Sequence, residues 1–467
     1  MSHQGRGGRR DVIPLLCLHR RFQGRPFPVR KRPVTPFPFD GRTARKTGGR
    51  TDRESLDEYR LSALRAAVDH ARRNSPFYRN RLASFPEGFP RSLEEYRDLP
   101  FTAPGDISGN PMAFPAVPQD EIARIVTARS SGTTGTPKRV FFTERDLAKT
   151  RSIFAEGMTV LVPRGSRVLI LLPGERPGSV GNLLIRGLAP EMEGVLCSCP
   201  DAGGTLDIIA RLRPDCLVAL PSQALRLARH PLSPLGKCLS SVLLCSDYAS
   251  DSLASAVEKA WGCTAFRHYG LTETGYGGAL SCGHGPGMHV MEDGFFFEIV
   301  SPGTGAPLQG EEEGEIVCTP LHAEGTALLR YRTGDRGRYL HGDCSCGSFL
   351  RRIIVRGRYG NGLDLPGGFV PLADLDEALF SLPWLGGYEV RMRGLSPVFL
   401  LEVPVLPEGT TSLPENLERA AGEKLRSLPC LGRLPPGTEF RLIPPQNVDM
   451  APAKRLVLPE SLPLRTG

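Results

Sequence analysis

Apolar residues recur at helical spacing through Leu56, Tyr59, Leu64, Ala67, Val68 and Ala71, which predicts an amphipathic helix over Glu54–Arg73. The run Asn74-Ser75-Pro76 ends it, because proline restricts the residue before it. From about Ile122 to Val355 the pattern changes to short apolar runs rich in β-branched residues, separated by helical ones. Val168–Leu172, Ser241–Leu244, Phe295–Ile299 and Glu315–Cys318 read as strands, and Ser252–Trp261 as a helix. Buried strands alternating with helices predict an α/β fold. The end of the chain has its own rhythm: helices over Leu372–Leu382 and Glu415–Leu428, strands over Glu389–Met392, Val398–Val403 and Glu439–Ile443. That is enough for a small α+β unit. Before it, Gly357, Gly360, Gly362, Gly367 and Gly368 read as a flexible junction. The expected organisation is a tail (1–50), a large N-terminal domain of stacked α/β subdomains (51–357) and a small mobile α+β domain (358–467). No internal repeat is present.

Composition narrows the class without naming it. The chain has 467 residues, 40% hydrophobic and 23% charged, an ordinary globular balance. No apolar stretch approaches the ~18 residues of a membrane span; the best early run, Val12–Leu18, is broken by Pro14. Twelve cysteines in a chain of this length do not resemble a secreted disulfide scaffold, so a reducing cytoplasmic location is expected. The formal net charge is +8. Residues 1–50 hold thirteen lysines and arginines against Asp11 and Asp40, so the tail carries +11 and the remainder −3. A Gly/Arg/Pro-rich tail of that kind reads as a disordered extension, and nucleic acid is not an expected partner of the nearly neutral body. The oligomeric state, a homodimer among the options, is open.

Four segments carry candidate chemistry. Ser130-Ser131-Gly132-Thr133-Thr134-Gly135-Thr136-Pro137-Lys138 places small hydroxyl residues between glycines, so that N–H and O–H groups converge on phosphate oxygens. It is not a Walker loop: the strand-prone Val140-Phe141-Phe142 follows where that motif needs a helix. Tyr269-Gly270-Leu271-Thr272-Glu273-Thr274 sets an aromatic face, a hydroxyl and a carboxylate within five positions, suited to a base, a phosphate and Mg²⁺. Tyr331-Arg332-Thr333-Gly334-Asp335 puts a carboxylate on a tight turn, where it can accept two hydrogen bonds from a ribose diol, as an acidic residue does in dinucleotide sites. The fourth segment is Arg352-Ile353-Ile354-Val355-Arg356-Gly357-Arg358.

In this order, the four segments resemble the adenylate-forming superfamily of acyl-CoA synthetases, luciferases and peptide-synthetase adenylation domains. Ser75-Pro76-Phe77-Tyr78-Arg79, Leu99-Pro100-Phe101-Thr102 with Asp106-Ile107, and the Tyr331–Asp335 element are most similar to the phenylacetate–CoA ligase branch. The resemblance covers about residues 55–460. It implies that a carboxylate attacks the α-phosphorus of ATP to give an acyl-adenylate and pyrophosphate, after which coenzyme A displaces AMP; the acid would be aryl or arylalkyl. It also implies roles: Ser130, Ser131, Gly132, Thr133, Thr134, Gly135 and Lys138 around the pyrophosphate end; Tyr269 and Gly270 at adenine; Thr272 at the α-phosphate; Glu273 on Mg²⁺; Asp335 on the ribose; and Arg358 near the inter-domain hinge.

The same resemblance frames a metal site. Cys344 and Cys346 lie on a Gly-containing turn, and Cys282, His284 and His289 lie upstream. Three sulfurs and one imidazole form a set typical of closed structural zinc. Relatives place a histidine seven positions after the cysteine, which favours His289 over His284. Cys197 and Cys199 form a second pair with no evident histidine partner.

Some positions depart from the family pattern. Relatives close the site with a lysine following a glycine near the C terminus; here the nearest candidate is Lys454, preceded by Ala453. The hinge position two after Arg358 is Gly360, and Asp247-Tyr248-Ala249-Ser250 stands where relatives often have a glycine/glutamate turn. The segment Gly174–Pro200, expected to help form the acid pocket, names no substrate, so short branched acids stand beside aryl and arylalkyl ones. Transfer to an acceptor other than coenzyme A, or a degenerate nucleotide-binding protein, are the alternative readings.

Overall fold

The computed structural model describes residues 37–128, 137–189, 191–199, 201–233, 239–403, 417–428, 434–443 and 457–459. Residues 37–50, expected as part of the tail, are structured. Helix α1 (Pro38–Lys46) starts at a proline and buries Phe39 and Thr43. Phe37 and Phe39 belong to the apolar core of the sheet described below, and Asp40 accepts a hydrogen bond from Ser348 Oγ at 2.6 Å. Charge counting hid two phenylalanines able to anchor the segment, so the boundary at 50 falls within ordered chain. The long helix α2 (Arg53–Asn74) is close to the one expected, and Asp52 caps it by accepting from the Ser55 N–H at 2.8 Å. Helices α3 (Pro76–Arg81) and α4 (Pro104–Gly109) follow. The Tyr78 hydroxyl meets Thr102 Oγ1 at 2.6 Å, and Thr102 Oγ1 donates to the Leu329 carbonyl at 2.8 Å, tying this lobe to the central sheet.

A short antiparallel pair, β1 (Arg124–Ala128) with β2 (Lys138–Phe142), flanks the serine/threonine/glycine loop. Thr143 and Asp146 then form a reciprocal cap on α5 (Glu144–Leu161). The alternation of β3 (Arg167–Ile170), α6 (Val180–Leu188), β4 (Glu193–Leu196), α7 (Ala202–Leu212), β5 (Cys216–Ala219), α8 (Pro221–Arg229), β6 (Ser241–Leu244), α9 (Asp251–Trp261) and β7 (Thr264–Gly270) builds a parallel half-sheet. β5 and β6 are buried along their whole length, as central parallel strands are. The antiparallel half is β8 (Gly278–Leu280), β9 (Met288–Val290), β10 (Phe295–Val300), β11 (Gly314–Pro320), β12 (Tyr331–Leu340) and β13 (Arg352–Arg358). Together they make one eleven-stranded sheet in the order β10-β11-β12-β13-β9-β8-β7-β6-β5-β3-β4. β7 is the switch: it runs parallel to β6 and antiparallel to β8.

The glycine-rich stretch after β13 is a β-hairpin rather than a loose junction: β14 (Gly362–Leu365) pairs with β15 (Gly368–Pro371). Leu363 and Val370 are fully buried, and that burial orders a segment its glycines alone would leave free. Next come α10 (Leu372–Phe380), β16 (Gly387–Arg393), β17 (Ser396–Glu402), α11 (Leu417–Arg426), β18 (Glu439–Ile443) and β19 (Val457–Pro459), with sheet order β18-β17-β16-β19. This α+β unit lies against the parallel half-sheet through one continuous apolar cluster that includes Leu253 and Val257 of α9 and Leu375 and Leu379 of α10. The Arg226 guanidinium reaches the Glu402 carboxylate at 2.9 Å, and the Glu377 carboxylate accepts from the Asp251 and Ser252 N–H groups at the start of α9. No helix among the described residues is long and apolar enough to cross a membrane.

Candidate active site

The carboxyl end of the switch strand, where pairing changes direction, is a favoured place for a ligand in open α/β sheets. Tyr269 lies there, and its hydroxyl donates to Asp335 Oδ2 at 2.8 Å. Asp335 sits at a register irregularity in β12, just after Gly334, whose φ of 74° suits a residue without a Cβ. The irregularity turns the carboxylate toward β7 and β13. Arg358, its register partner on β13, donates from Nε to Asp335 Oδ1 at 2.9 Å and from Nη2 to the Thr333 carbonyl at 3.1 Å. The Asp335 carboxylate raises the Arg358 pKa further and locks its charge. Each carboxylate oxygen of Asp335 thus accepts one protein hydrogen bond, leaving lone-pair capacity for further donors. These groups line a cleft of about 480 Å³, together with Gly270, Ser246 and Tyr248. A Cβ at Gly270 would stand 2.5 Å from the Tyr276 carbonyl oxygen, so only glycine fits this approach.

On the turn after β7, Glu273 is buried and pairs with the Lys138 ammonium at the start of β2. The Tyr331 hydroxyl donates to Glu273 Oε1 at 2.9 Å and lies 3.1 Å from Lys138 Nζ. Burial works to raise the Glu273 carboxyl, but Lys138 and the hydrogen bonds outweigh it and hold it below the usual range. Thr272, on the same turn, lies beside the Tyr276 hydroxyl. Sequence reading passed over Tyr331 as a site residue; its place at the head of the Tyr331–Asp335 element was the available signal. Two groups of expected residues, Ser130 through Gly135 and Lys454, lie outside the described residues.

A second constellation is separate from the cleft. Cys282, His289, Cys344 and Cys346 are all buried, and their ligand atoms lie within 4.8 Å of one another. Cys282 Sγ is 3.6 Å from Cys344 Sγ, far from bonding distance, and Cys346 Sγ is 3.3 Å from His289 Nε2. His289 Nδ1 meets the Leu350 carbonyl at 3.0 Å. A carbonyl only accepts, so Nδ1 holds the proton and Nε2 turns its lone pair to the sulfurs. His284 is not in the set, in line with the choice of His289. Tetrahedral zinc with Zn–S bonds of ~2.3 Å needs sulfurs roughly 3.8 Å apart, so the donor set and its spacing fit that ion.

A narrow apolar cavity of about 70 Å³ adjoins the cleft. Val180 and Leu184 of the Gly174–Pro200 segment line it, alongside Met158 and Leu243. Ser246, His268 and Gly270 line both spaces.

Residues 75–320 match the family model "AMP-binding enzyme". The phenylacetate–coenzyme A ligase of Thermus thermophilus is 31% identical over 71% of this chain and 76% of its own length. The enzyme of the same name from Pseudomonas putida is 31% identical over 73% and 79%. Among solved structures, 2-hydroxyisobutyryl-CoA ligase in its postadenylation state superposes with a TM-score of 0.76 at 17% identity, covering 89% of this chain and 91% of that one, which shows a shared fold. The chain belongs to the AMP-binding enzyme family, in the branch of the phenylacetate–coenzyme A ligases.

Proposed function

We propose that the protein is an AMP-forming acid–CoA ligase acting on a small aryl or arylalkyl acid. The observation that carries this reading is the convergence of Tyr269, Asp335 and Arg358 on one cleft beside an apolar cavity, in a chain related to phenylacetate–coenzyme A ligases over most of its length. ATP would lie with its base against Tyr269 and Gly270, its ribose hydroxyls on the free lone pairs of Asp335, and its phosphates toward Thr272 and the Ser130–Lys138 loop. A carboxylate oxygen of the acid then bonds to the α-phosphorus as the bond to pyrophosphate breaks. In the second step the sulfur of coenzyme A bonds to the acyl carbon and AMP leaves.

The chain's task is to bring two anions together and spread their charge, so its contribution is positioning and electrostatics. Arg358 holds Asp335 in place and adds positive charge at the rim of the cleft. A hard carboxylate oxygen suits Mg²⁺, and the Lys138 ammonium already occupies a cation's place at Glu273 Oε1. Glu273 would hold the metal, which supplies neutralisation of the phosphates, while Lys138 turns to the pyrophosphate end. Lys454 would close the site from the C-terminal domain. In this reading residues up to 357 form the nucleotide- and acid-binding part, and 358–467 the lid. The buried cluster of Cys282, His289, Cys344 and Cys346 would hold structural Zn²⁺. Twelve cysteines in a chain of this length, unlike the dense pattern of a secreted disulfide scaffold, support a reducing, cytoplasmic setting.

Pyrophosphate release and thioester formation, measured with and without coenzyme A across a panel of carboxylic acids, test the proposal. ATP- and acid-dependent pyrophosphate release with CoA thioester as product supports it. Release without any thioester would assign another acyl acceptor.

A further inference from the structure

The cavity beside the nucleotide cleft is apolar on most of its surface, and one polar atom in its wall has no partner. His268 Nε2 is buried and makes no hydrogen bond among the described residues. Buried nitrogens of this kind are uncommon, because an unmet hydrogen bond in an apolar setting costs about 1–3 kcal/mol.

The register of the sheet shows which way this side chain points. Successive residues of a strand face opposite sides. In the β6–β7 ladder Leu243 pairs with Phe266 and Leu244 with Arg267, so Phe266, His268 and Gly270 share the face of Leu243, and Arg267 and Tyr269 the face of Leu244. Leu243 lines the apolar cavity. The imidazole of His268 therefore faces the cavity, while the ring of Tyr269 faces the other side of the sheet. Of the other polar groups of that wall, the Tyr276 hydroxyl lies beside Thr272, and the thiol of Cys245 contacts the Ala219 carbonyl and the Ser246 hydroxyl.

The state of the ring follows from its surroundings. Burial pushes the His268 pKa down to about 4, against the opposing effect of the Tyr276 backbone carbonyl. The ring is neutral at physiological pH. The nearby Tyr276 carbonyl only accepts, so it favours the tautomer that holds the single proton on Nδ1, the nitrogen other than the unpartnered Nε2. Nε2 is then a bare lone pair, which asks for a donor and offers nothing to a second carboxylate.

Resting on the ligase reading above, we propose that His268 is a specificity-determining residue whose Nε2 accepts a hydrogen bond from a hydroxyl or amino group on the acid. The substrate class is then a small aromatic acid bearing such a donor, rather than the unsubstituted acid. A site built to bond a substrate hydroxyl discriminates strongly against the analogue that lacks it, since the protein atom is left buried and unpaired.

The test compares phenylacetate with its ring-hydroxylated and ring-aminated forms at each ring position, and with methoxy analogues that fill the same space without a donor. Both kcat/KM for pyrophosphate release and equilibrium binding of the acid are measured, on wild type, His268→Leu and His268→Gln. The expected result is that one hydroxy or amino isomer is preferred over phenylacetate and over its methoxy analogue by at least about tenfold. His268→Leu should collapse that preference to about unity, and His268→Gln, which keeps an acceptor, should retain part of it. Phenylacetate matching or exceeding every donor-bearing isomer would overturn the proposal, as would an undiminished preference in His268→Leu. Binding separates this outcome from failure of the ligase reading. A donor preference in binding that is lost in His268→Leu, with no turnover of any acid, sustains the role of His268 and removes the ligase. Absence of that preference in binding removes the role of His268 whatever the turnover.

Discussion

Tyr269 and Asp335 are sixty-six residues apart in sequence and 2.8 Å apart in space, the hydroxyl of one donating to Oδ2 of the other. The contact joins the end of the parallel half-sheet to the irregular strand β12 of the antiparallel half. An aromatic ring and a carboxylate, each suited to part of a nucleotide, thereby become one rigid wall.

Removing either partner should weaken nucleotide binding, by different amounts. Tyr269→Phe keeps the ring and loses the donor that orients Asp335, so AMP affinity should fall about tenfold, the order of one hydrogen bond to a charged group. Asp335→Ala removes both carboxylate acceptors as well, and with the ribose seated on them the loss should exceed about a hundredfold. Isothermal titration with AMP measures both; an Asp335→Ala variant that binds as tightly as wild type would contradict the placement of the ribose.

Lys138 and Glu273 form a largely buried pair, their side chains 12% and 7% exposed. Lys138→Met leaves the carboxylate unpaired and should cost about 3 kcal/mol of stability. The double variant Lys138→Met/Glu273→Leu should recover most of that loss, because the unpaired charge is gone, while remaining inactive. Urea unfolding of the single and double variants gives the comparison. Losses that simply add would show that the two side chains do not depend on each other.

Metal analysis of the purified protein should find about one zinc per chain, absent from a Cys344→Ser/Cys346→Ser variant. Cobalt in place of zinc should give the absorption of a tetrahedral thiolate site, and chelation should lower the unfolding temperature. Substoichiometric metal in both proteins would remove the zinc assignment.

Asp40 gives a pH dependence of known sign. Burial raises its carboxyl pKa to about 6, with the Ser348 hydroxyl and the Phe349 backbone pulling the other way. The folded protein thus holds this proton more tightly than the unfolded chain, whose value is near 3.8. Stability should fall as pH rises from about 4 to about 6 and stay reduced above that. Asp40→Asn should therefore be more stable than wild type at pH 8, with the advantage gone near pH 4. Unfolding midpoints across this range provide the measurement; an advantage that grows on acidification would reverse the sign.

Much of the candidate site was legible in the sequence because its chemistry is carried by short contiguous segments. Tyr269, Glu273 and Asp335 were identifiable from residue type and local spacing, and Cys282, His289, Cys344 and Cys346 from ligand type together with the family interval. Tyr331 was less visible, since its role depends on a hydroxyl reaching Glu273 across the sheet. His268 was not visible at all. A histidine beside a motif tyrosine carries no signal until strand pairing fixes which face it takes and what lies opposite.

The sequence by itself determined the periodic elements, the loop chemistry and the family, because these depend on side chains a few positions apart. That the segment around Phe37 and Phe39 packs into the core, that the glycines after β13 form a hairpin, and how the C-terminal unit sits on α9 were decided only by tertiary structure. Phe37, Leu363 and Leu375 are ordinary apolar residues in the sequence, and each is tied down by surfaces contributed from distant parts of the chain. Burial depends on what packs against a residue, and that partner is supplied by the fold.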